Sequence, residues 1–290
     1  MNASVTSEKP KALSESQKNA LINLLADEDP AVYRVIREKF LSYGQMASAW
    51  MQPHLLSSDP VLRRRSQEII DHLARQSADN RFLAFCLSHG EDLDVEQATW
   101  LLAQTRYPDI NITAYQALFD SYTGDLKEKI DFGNPSLQIL ATINEYLFKG
   151  LGFRGNEQNY YDLENSYMNR VVDRRTGNPI SLSMIYFFIA RRLRLPVSGI
   201  GMPGHFICRF QSSTDEIYID AFNAGKLLTK ADCVKYLLQT SHGFQEGFLA
   251  PATPRRILLR MCSNLHQIYL HHKQPDETAR LQRYIVALAK

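Results

Sequence analysis

A nucleophile could be placed at the start of one apolar helix. The stretch RTGNPISLSMIYFFIARRL, residues 175–193, opens with a turn in which Asn178 can cap a helix and Pro179 suits the first helical position. Ser181 and Ser183 follow within two turns, close to amide groups of the kind that enzymes place beside a nucleophile. Their hydroxyls are candidate nucleophiles. The alternative is that both are small packing residues whose hydroxyls bond to helix carbonyls.

A histidine and an aspartate downstream could complete such a site. His205 begins a strand after a Pro-Gly turn, and Asp220 ends the strand EIYID. A carboxylate on one imidazole nitrogen fixes the tautomer and supports the imidazolium that a general base becomes. The alternative is a pair that only holds two strands together. With QSST as the loop, the register places His205 opposite Asp220 and Cys208 opposite Ile217, so that Cys208 faces the core.

Polar side chains of a preceding segment could line the same cleft. We expect residues 159–178 to form a polar helix, on which Asn165, Asn169 and Asp173 share one face. That face either lines the cleft below the histidine or faces water. Asn223, just after the third strand, either caps the next turn or contacts a ligand.

The elements that precede these residues read as helices throughout. Ser14 and Gln17 form a capping-box pattern, and the Asp-Pro pairs at 29 and 59 each predict a helix start thirty residues apart. This internal echo predicts a HEAT-like helical region over 14–90, with an irregular bundle as the alternative. Residues 1–13 are expected to be a disordered tail.

The second half of the chain changes pattern. Short β-branched and aromatic runs at 197–201, 205–210 and 216–220 predict three antiparallel strands packed on the apolar helix of 175–193. The fold class is therefore α+β and mostly helical, with this core and its helical lead-in over 91–250. Residues 251–290 predict two antiparallel helices that resemble a tetratricopeptide-like hairpin.

The charge balance, the cysteines and the histidines indicate which partners, location and cofactors to expect. The net charge is +2, with 33 Lys and Arg against 31 Asp and Glu, so nothing favours a nucleic acid or an anionic membrane as partner. The first residues carry no apolar run, and we expect no leader or membrane anchor. Four scattered cysteines indicate reduced thiols and a cytoplasmic protein. His266, His271 and His272 have no metal-site context, so neither a metal nor a cofactor is expected.

Three motifs in order resemble one family. ENSYMNRVVDRRTGNPISLSMIY, LPVSGIGMPGHFICRF and YIDAFNAGKLLT look like the SirB-type (YchA-like) family of transglutaminase-like proteins. The resemblance implies a papain-like core in which a Cys opens the buried helix and a His and an Asp follow on strands. The latter two map to His205 and Asp220, whereas the Cys position falls at or near Pro179. Arg194 and Ala221 stand where the family commonly has glycine and proline.

The missing cysteine decides the functional prediction. A helix start lowers a thiol's pKa, whereas a serine needs a base in contact, and Pro179 also lacks the N–H that often binds an oxyanion. We therefore expect a non-catalytic module that binds a protein or peptide; the oligomeric state stays open. The alternative is an acyl-transfer enzyme (amidase, peptidase or transglutaminase type) using Ser181 or Ser183. The candidate binding residues are Asn165, Asn169, Asn178 and Asn223.

Overall fold

The structure is a computed structural model that describes residues 13–290, and it divides the chain into two units. The first unit ends at Asn80 and the second runs from Arg81 to Lys290. The predicted tail, 1–13, lies outside the described residues except for Leu13.

The first unit is built from helices. They are α1 (Glu15–Leu25), α2 (Pro30–Ser42), α3 (Gln45–Met51), a 3-10 turn (Gln52–Leu56) and α4 (Pro60–Ser88), the last continuing into the second unit. The sequence predicted the starts of α1, α2 and α4 among them. The Ser14–Gln17 capping box forms, and Asp29 and Asp59 accept backbone N–H bonds at the starts of α2 and α4. These starts are confirmed. The predicted boundary at residue 90 lies two residues after the end of α4, which is 29 residues long where α2 has 13.

Each arginine of the run 63–65 has a contact inside the described fold. Arg65 donates to the carbonyls of Leu25 and Asp27 at the end of α1 and stacks on Tyr33, 4.2 Å from the ring centroid. Arg63 bonds to a backbone carbonyl, and Arg64 lies 3.7 Å from a glutamate one turn along. Arg65 thus satisfies carbonyls that a helix end leaves open.

The second unit surrounds one buried helix. Its helices are α5 (Val95–Gln104), α6 (Ile112–Lys129), α7 (Ser136–Asn144, extended by a π-helical turn at Glu145–Gly150), α8 (Met168–Arg174), α9 (Pro179–Arg192), α10 (Lys230–Leu238), α11 (Pro254–His271) and α12 (Pro275–Leu288). Eleven of the fourteen residues of α9 are buried, as its all-round apolar pattern predicts. At its far end, Arg192 forms a two-pronged ion pair with Glu96 of α5.

A four-stranded antiparallel sheet packs on α9. Its strands are β3 (Val197–Met202), β4 (His205–Gln211), β5 (Glu216–Asp220) and β6 (Lys226–Leu228), in the order β3-β4-β5-β6. A separate parallel ladder of two residues joins β1 (Arg154–Gly155) to β2 (Thr176–Gly177). Phe206 and Cys208 pack toward α9, whereas Ile207 and Tyr218 pack toward α10. Both faces of the sheet are therefore covered.

Three details of the sequence prediction are wrong. The continuous helix expected over 159–178 is a 3-10 turn (Leu163–Asn165), α8 and the short strand β2. The strands β1, β2 and β6 were not predicted, because runs of two or three residues carry no periodicity. The predicted register of β4 and β5 is shifted by two residues, since Cys208 pairs with Ile219 and not with Ile217.

The chain ends in an antiparallel helical hairpin. The side chain of Arg255, at the start of α11, donates to the backbone carbonyls of Ala287 and Leu288 at the end of α12. Tyr269 of α11 donates to or accepts from Tyr167 over 2.7 Å, which ties the hairpin to the segment just before α8.

Candidate functional site

His205 and Asp220 form a hydrogen-bonded pair at the edge of the sheet. The imidazole Nε2 lies 2.9 Å from the carboxylate Oδ2, and the side chains are 14% and 8% exposed. Asn223 holds the carboxylate from the other side. Its backbone N–H donates to Oδ1 over 3.2 Å and its side-chain amide donates to Oδ2 over 2.8 Å. Both carboxylate oxygens are therefore fixed, and the carboxylate in turn orients the imidazole.

The pair forms although the predicted register is wrong. A shift of two residues leaves every side chain of a strand on its original face, because side chains alternate with a period of two. His205 and Asp220 consequently stay on the same face, as diagonal neighbours where direct opposites were expected. A shift of one residue would have separated them.

Asp220 is set up to carry a negative charge. Burial acts to raise its pKa, but the hydrogen bond and charge of His205 and the two bonds from Asn223 outweigh that effect and lower it. The carboxylate is therefore ionised at neutral pH.

The pair opens into a cavity of about 770 Å³. Three aromatic rings stand in its wall, from Tyr160, Phe222 and Tyr236, and the rings of Phe222 and Tyr236 lie 6.3 and 5.9 Å from the His205 ring. Tyr160 is 42% exposed and packs edge-on to Phe222 at the mouth. Its volume, aromatic walls and few polar groups are typical of ligand-binding pockets in proteins.

Pro179 stands in the cavity wall, at the first position of α9. Asn178 caps the helix as predicted, with its side chain accepting from the N–H of Ser181. The position to which the family's cysteine was assigned thus faces the same cavity as His205. Proline offers neither a nucleophilic atom nor a backbone donor there.

The two serines point their hydroxyls elsewhere. The Ser181 hydroxyl donates to the backbone carbonyl of Asn165 over 2.7 Å, and the Ser183 hydroxyl donates to that of Phe206 over 3.2 Å. Both residues are fully buried, and neither is among the residues that line the cavity. Gly177 explains the tight fit, because a Cβ at that position would lie 2.5 Å from the Ser181 hydroxyl oxygen. Mid-helix serines of this kind commonly bond to carbonyls.

No cysteine of the chain supplies an activated thiol. All four cysteines are free and buried. Cys233 of α10 lines the cavity, but burial raises its pKa to about 12, and the negative charges of Asp232, Asp220 and Glu216 act in the same direction. Burial likewise raises the pKa of Cys208 to about 12, and its thiol donates to the carbonyl of Ser183.

The predicted asparagines do not form one group. Asn165 belongs to the 3-10 turn, so it does not share the helix face that Asn169 and Asp173 have on α8, four residues apart. Asn165 is fully buried, and its side chain bonds to Asn156 and to the backbone carbonyl of Asn159.

The side chains of Asn178 and Asp173 also form hydrogen bonds within the fold, whereas Asn169 has a buried oxygen without one in residues 13–290. The Asn178 amide donates to the hydroxyl of Ser166, and Asp173 accepts from the Tyr115 hydroxyl. The side-chain oxygen of Asn169 is buried without a hydrogen-bond partner among the described residues. Of the four asparagines proposed to bind, Asn223 is the one that lines the cavity in the part of the chain that the structure describes.

Sequence reasoning missed the aromatic and basic residues of the cavity. Tyr160, Phe222 and Tyr236 come from three separate segments, and Lys226 and Lys235 come from β6 and α10. The signal that could have found one of them is α10 itself, an amphipathic helix that begins at a Thr229–Asp232 capping box directly after the third motif.

Residues 13–290 provide neither a cluster of metal ligands nor a membrane-spanning helix. No group of three or more His, Cys, Asp or Glu side chains in this range could hold a metal ion. No helix in the same range is both long and apolar enough to cross a bilayer.

Comparison with known proteins assigns the chain to one superfamily, whose match lies within the second unit. A family model described as the transglutaminase-like superfamily matches residues 113–263, just over half of the chain. A UPF0162 protein of Xylella fastidiosa is 35% identical over 205 residues, which are 68% of this chain and 73% of that protein. A UPF0162 protein of Pseudomonas aeruginosa is 28% identical over 200 residues, 66% of this chain and 70% of its own.

An animal protein shares a shorter part. F-box only protein 21 of Mus musculus is 38% identical over 136 residues, which are 44% of this chain and 21% of that protein. No solved structure matches the chain.

Proposed function

Because the chain belongs to the transglutaminase-like superfamily, we propose that it is a member without catalytic activity whose His205 cavity binds a peptide or protein segment. One observation carries the proposal. Pro179 occupies the helix start that faces His205 and Asp220, so the cavity keeps the base and its carboxylate but has a proline where an attacking atom would stand.

The cavity's own chemistry supports a binding role. Aromatic rings give a large contact area at a low entropic cost, and the His205 imidazole and the Asn223 amide provide polar contacts between them. The similarity to F-box only protein 21 covers about a fifth of that protein, which fits a core used as one module of a longer chain.

The proposal also covers the group within the superfamily, the type of the two helical regions and the cellular location. We place the chain in the SirB-type group of this superfamily, with a HEAT-like first unit, a tetratricopeptide-like final hairpin and a cytoplasmic location. Helical stacks of these kinds offer concave surfaces for a protein partner. The four free, buried cysteines fit a reducing compartment.

The test pairs a binding assay with an activity probe. An array of random-sequence octapeptides is probed with the full chain and with Tyr160→Ala, which removes an exposed ring from the cavity mouth. We expect Tyr160→Ala to lose most of the bound peptides. Its control is Phe132→Ala, because Phe132 is a half-exposed ring that does not line the cavity. Binding that is equal in both variants, or absent from the wild-type chain, contradicts the proposal.

The acyl-transfer alternative has its own readout. A fluorophosphonate probe labels activated serines, and we expect none on this chain because the Ser181 and Ser183 hydroxyls donate to backbone carbonyls. Stoichiometric labelling that disappears in Ser181→Ala or Ser183→Ala would establish the enzyme in place of the binding module.

A further inference from the structure

Two lysines with exposed ammonium groups stand at the rim of the His205 cavity. Lys226 on β6 and Lys235 on α10 line the cavity, and both are exposed. Neither side chain forms a hydrogen bond or an ion pair within residues 13–290. By contrast, Lys230, one turn before Lys235, lies 3.7 Å from Glu246. The charges of Lys226 and Lys235 both act on Asp232, the exposed carboxylate of the cavity, so two positive charges stand against one negative charge at the rim.

Both carboxylates that line the cavity accept hydrogen bonds from neighbouring residues of the fold. Asp220 is bonded through both oxygens to His205 and Asn223. Asp232 accepts the N–H and the hydroxyl of Thr229 through Oδ2, as the capping box of α10. Lys226 and Lys235 contribute to lowering the pKa of Asp232, after the larger effect of its bonds with Thr229, so both ammonium groups lie near this part of the rim. An anion that binds here would therefore compete with one exposed carboxylate, that of Asp232, for the two lysines.

An apolar groove continues from this rim along α10. It has a volume of about 620 Å³ and is lined by Ala231, Val234 and Leu238, with Lys235 and Gln239 shared with the His205 cavity. Leu238 is 64% exposed, so its side chain is available for contact along this groove. The cavity and the groove thus form one surface, defined here as the acidic-peptide surface, with lysines between two apolar parts.

We propose that this surface binds an acidic peptide segment. Carboxylates of aspartate or glutamate lie between Lys226 and Lys235, and a neighbouring apolar side chain of the same segment packs on Leu238. The charge complementarity selects the peptide class, because an amide or an ammonium group in the same place leaves the lysines without a counter-charge. This inference rests on the proposed binding function and names its ligand.

The octapeptide array tests the charge preference. We expect peptides bound by the wild-type chain at low salt to be enriched about fivefold in aspartate and glutamate over the array, as two solvent-exposed ion pairs imply. The double variant Lys226→Gln/Lys235→Gln should lose this enrichment while still binding peptides. The double variant Lys127→Gln/Lys129→Gln is the control, because it removes the same charge from the exposed last turn of α6. Raising the salt concentration should weaken the enrichment in the wild-type chain.

The possible outcomes distinguish the acidic-peptide assignment from the proposed binding function on which it rests. Peptides that bind in a Tyr160-dependent manner without acidic enrichment, or with enrichment that survives Lys226→Gln/Lys235→Gln, would overturn the acidic-peptide assignment alone. No Tyr160-dependent binding at all would overturn the binding function and the assignment together. Leu238→Gln reports on the groove, and we expect it to reduce the enrichment of apolar residues among bound peptides while the acidic enrichment remains.

Discussion

Pro179 is the residue on which the functional argument depends, and its neighbours make the position testable. A cysteine there would stand at a helix start in the same cavity as His205, two features that lower a thiol's pKa. The native thiols should react little with an alkylating reagent near neutral pH, because burial raises the pKa of Cys86, Cys208 and Cys233 to about 12.

We predict that Pro179→Cys creates a thiol with a pKa below its ordinary value of about 8.5. The measurement is the pH dependence of iodoacetamide alkylation, with the modified site identified by mass spectrometry. His205→Ala in the Pro179→Cys background serves as the control and should return the pKa toward the ordinary value. A thiol with an unshifted pKa, or one indifferent to His205, would show that this cavity does not have the geometry of a cysteine–histidine site.

Asp220 gives a prediction about stability and pH. Its pKa is lowered in the folded chain, so its stabilising contribution is complete above the unfolded-state pKa of about 4 and is lost as the pH falls through the lower folded value. Asp220→Asn should cost about 1–3 kcal/mol of unfolding free energy at pH 5, and this cost should shrink below pH 4. Urea unfolding at several pH values measures it. Asp109→Asn, at an exposed aspartate, should show no such cost, and a cost for Asp220→Asn that grows below pH 4 would refute the assignment.

At the scale of single elements, the end of α9 shows how one residue terminates a helix. Arg194 has a φ of +59°, its N–H donates to the carbonyl of Arg191, and the N–H of Leu195 donates to that of Ala190. This pair of bonds is the Schellman arrangement, in which glycine is favoured at the left-handed position. Arg194 thus holds a left-handed backbone conformation that a glycine would adopt without strain.

Arg194→Gly should therefore stabilise the chain by up to about 1 kcal/mol, since the left-handed conformation costs a residue with a Cβ roughly 1–2 kcal/mol and glycine returns part of that through its unfolded-state entropy. Thermal unfolding compares it with Arg194→Ala, which removes the side chain but keeps the Cβ. If the alanine variant gained as much stability as the glycine variant, the backbone conformation would not be the cause.

The elements also show what sequence could and could not predict. Long periodic helices and their caps were predictable, because Asp-Pro starts and apolar stripes are local signals. The contact between His205 and Asp220 was predictable because it depends only on the parity of the register, not on the exact pairing. The register itself, the strand β6 and the break before α8 depend on tertiary packing that short segments do not encode.

The residues of the candidate site also differ in how far sequence could predict them. The pairing of His205 with Asp220 followed from the alternation of side chains along two strands, whereas Pro179 was placed beside them by the family resemblance alone. Tyr160 reaches the cavity from a segment far before Asp220, whereas Tyr236 and the two rim lysines follow Asp220 closely on β6 and α10, two elements that the sequence pattern did not predict.

At the scale of the whole molecule, the hydrophobic cores follow the two units. One cluster, with Phe40 and Met51 at its centre, contains buried residues no later than Leu73, whereas the cluster around α9 begins at Phe82. A truncation in the first cluster should therefore leave the second cluster, and the His205 cavity within its unit, intact.

We predict that Phe40→Ala destabilises the first unit by about 3–5 kcal/mol while acidic-peptide binding at 20 °C stays within about twofold of the wild-type value. Phe119→Ala, which removes an equally buried ring from the cluster around α9, is the matched comparison and should weaken binding as its unit unfolds. Differential scanning calorimetry should show Phe40→Ala shifting one part of the unfolding transition and Phe119→Ala the other. A single transition that moves equally in both variants would mean that α4, which continues from one unit into the other, makes the chain unfold as one cooperative body.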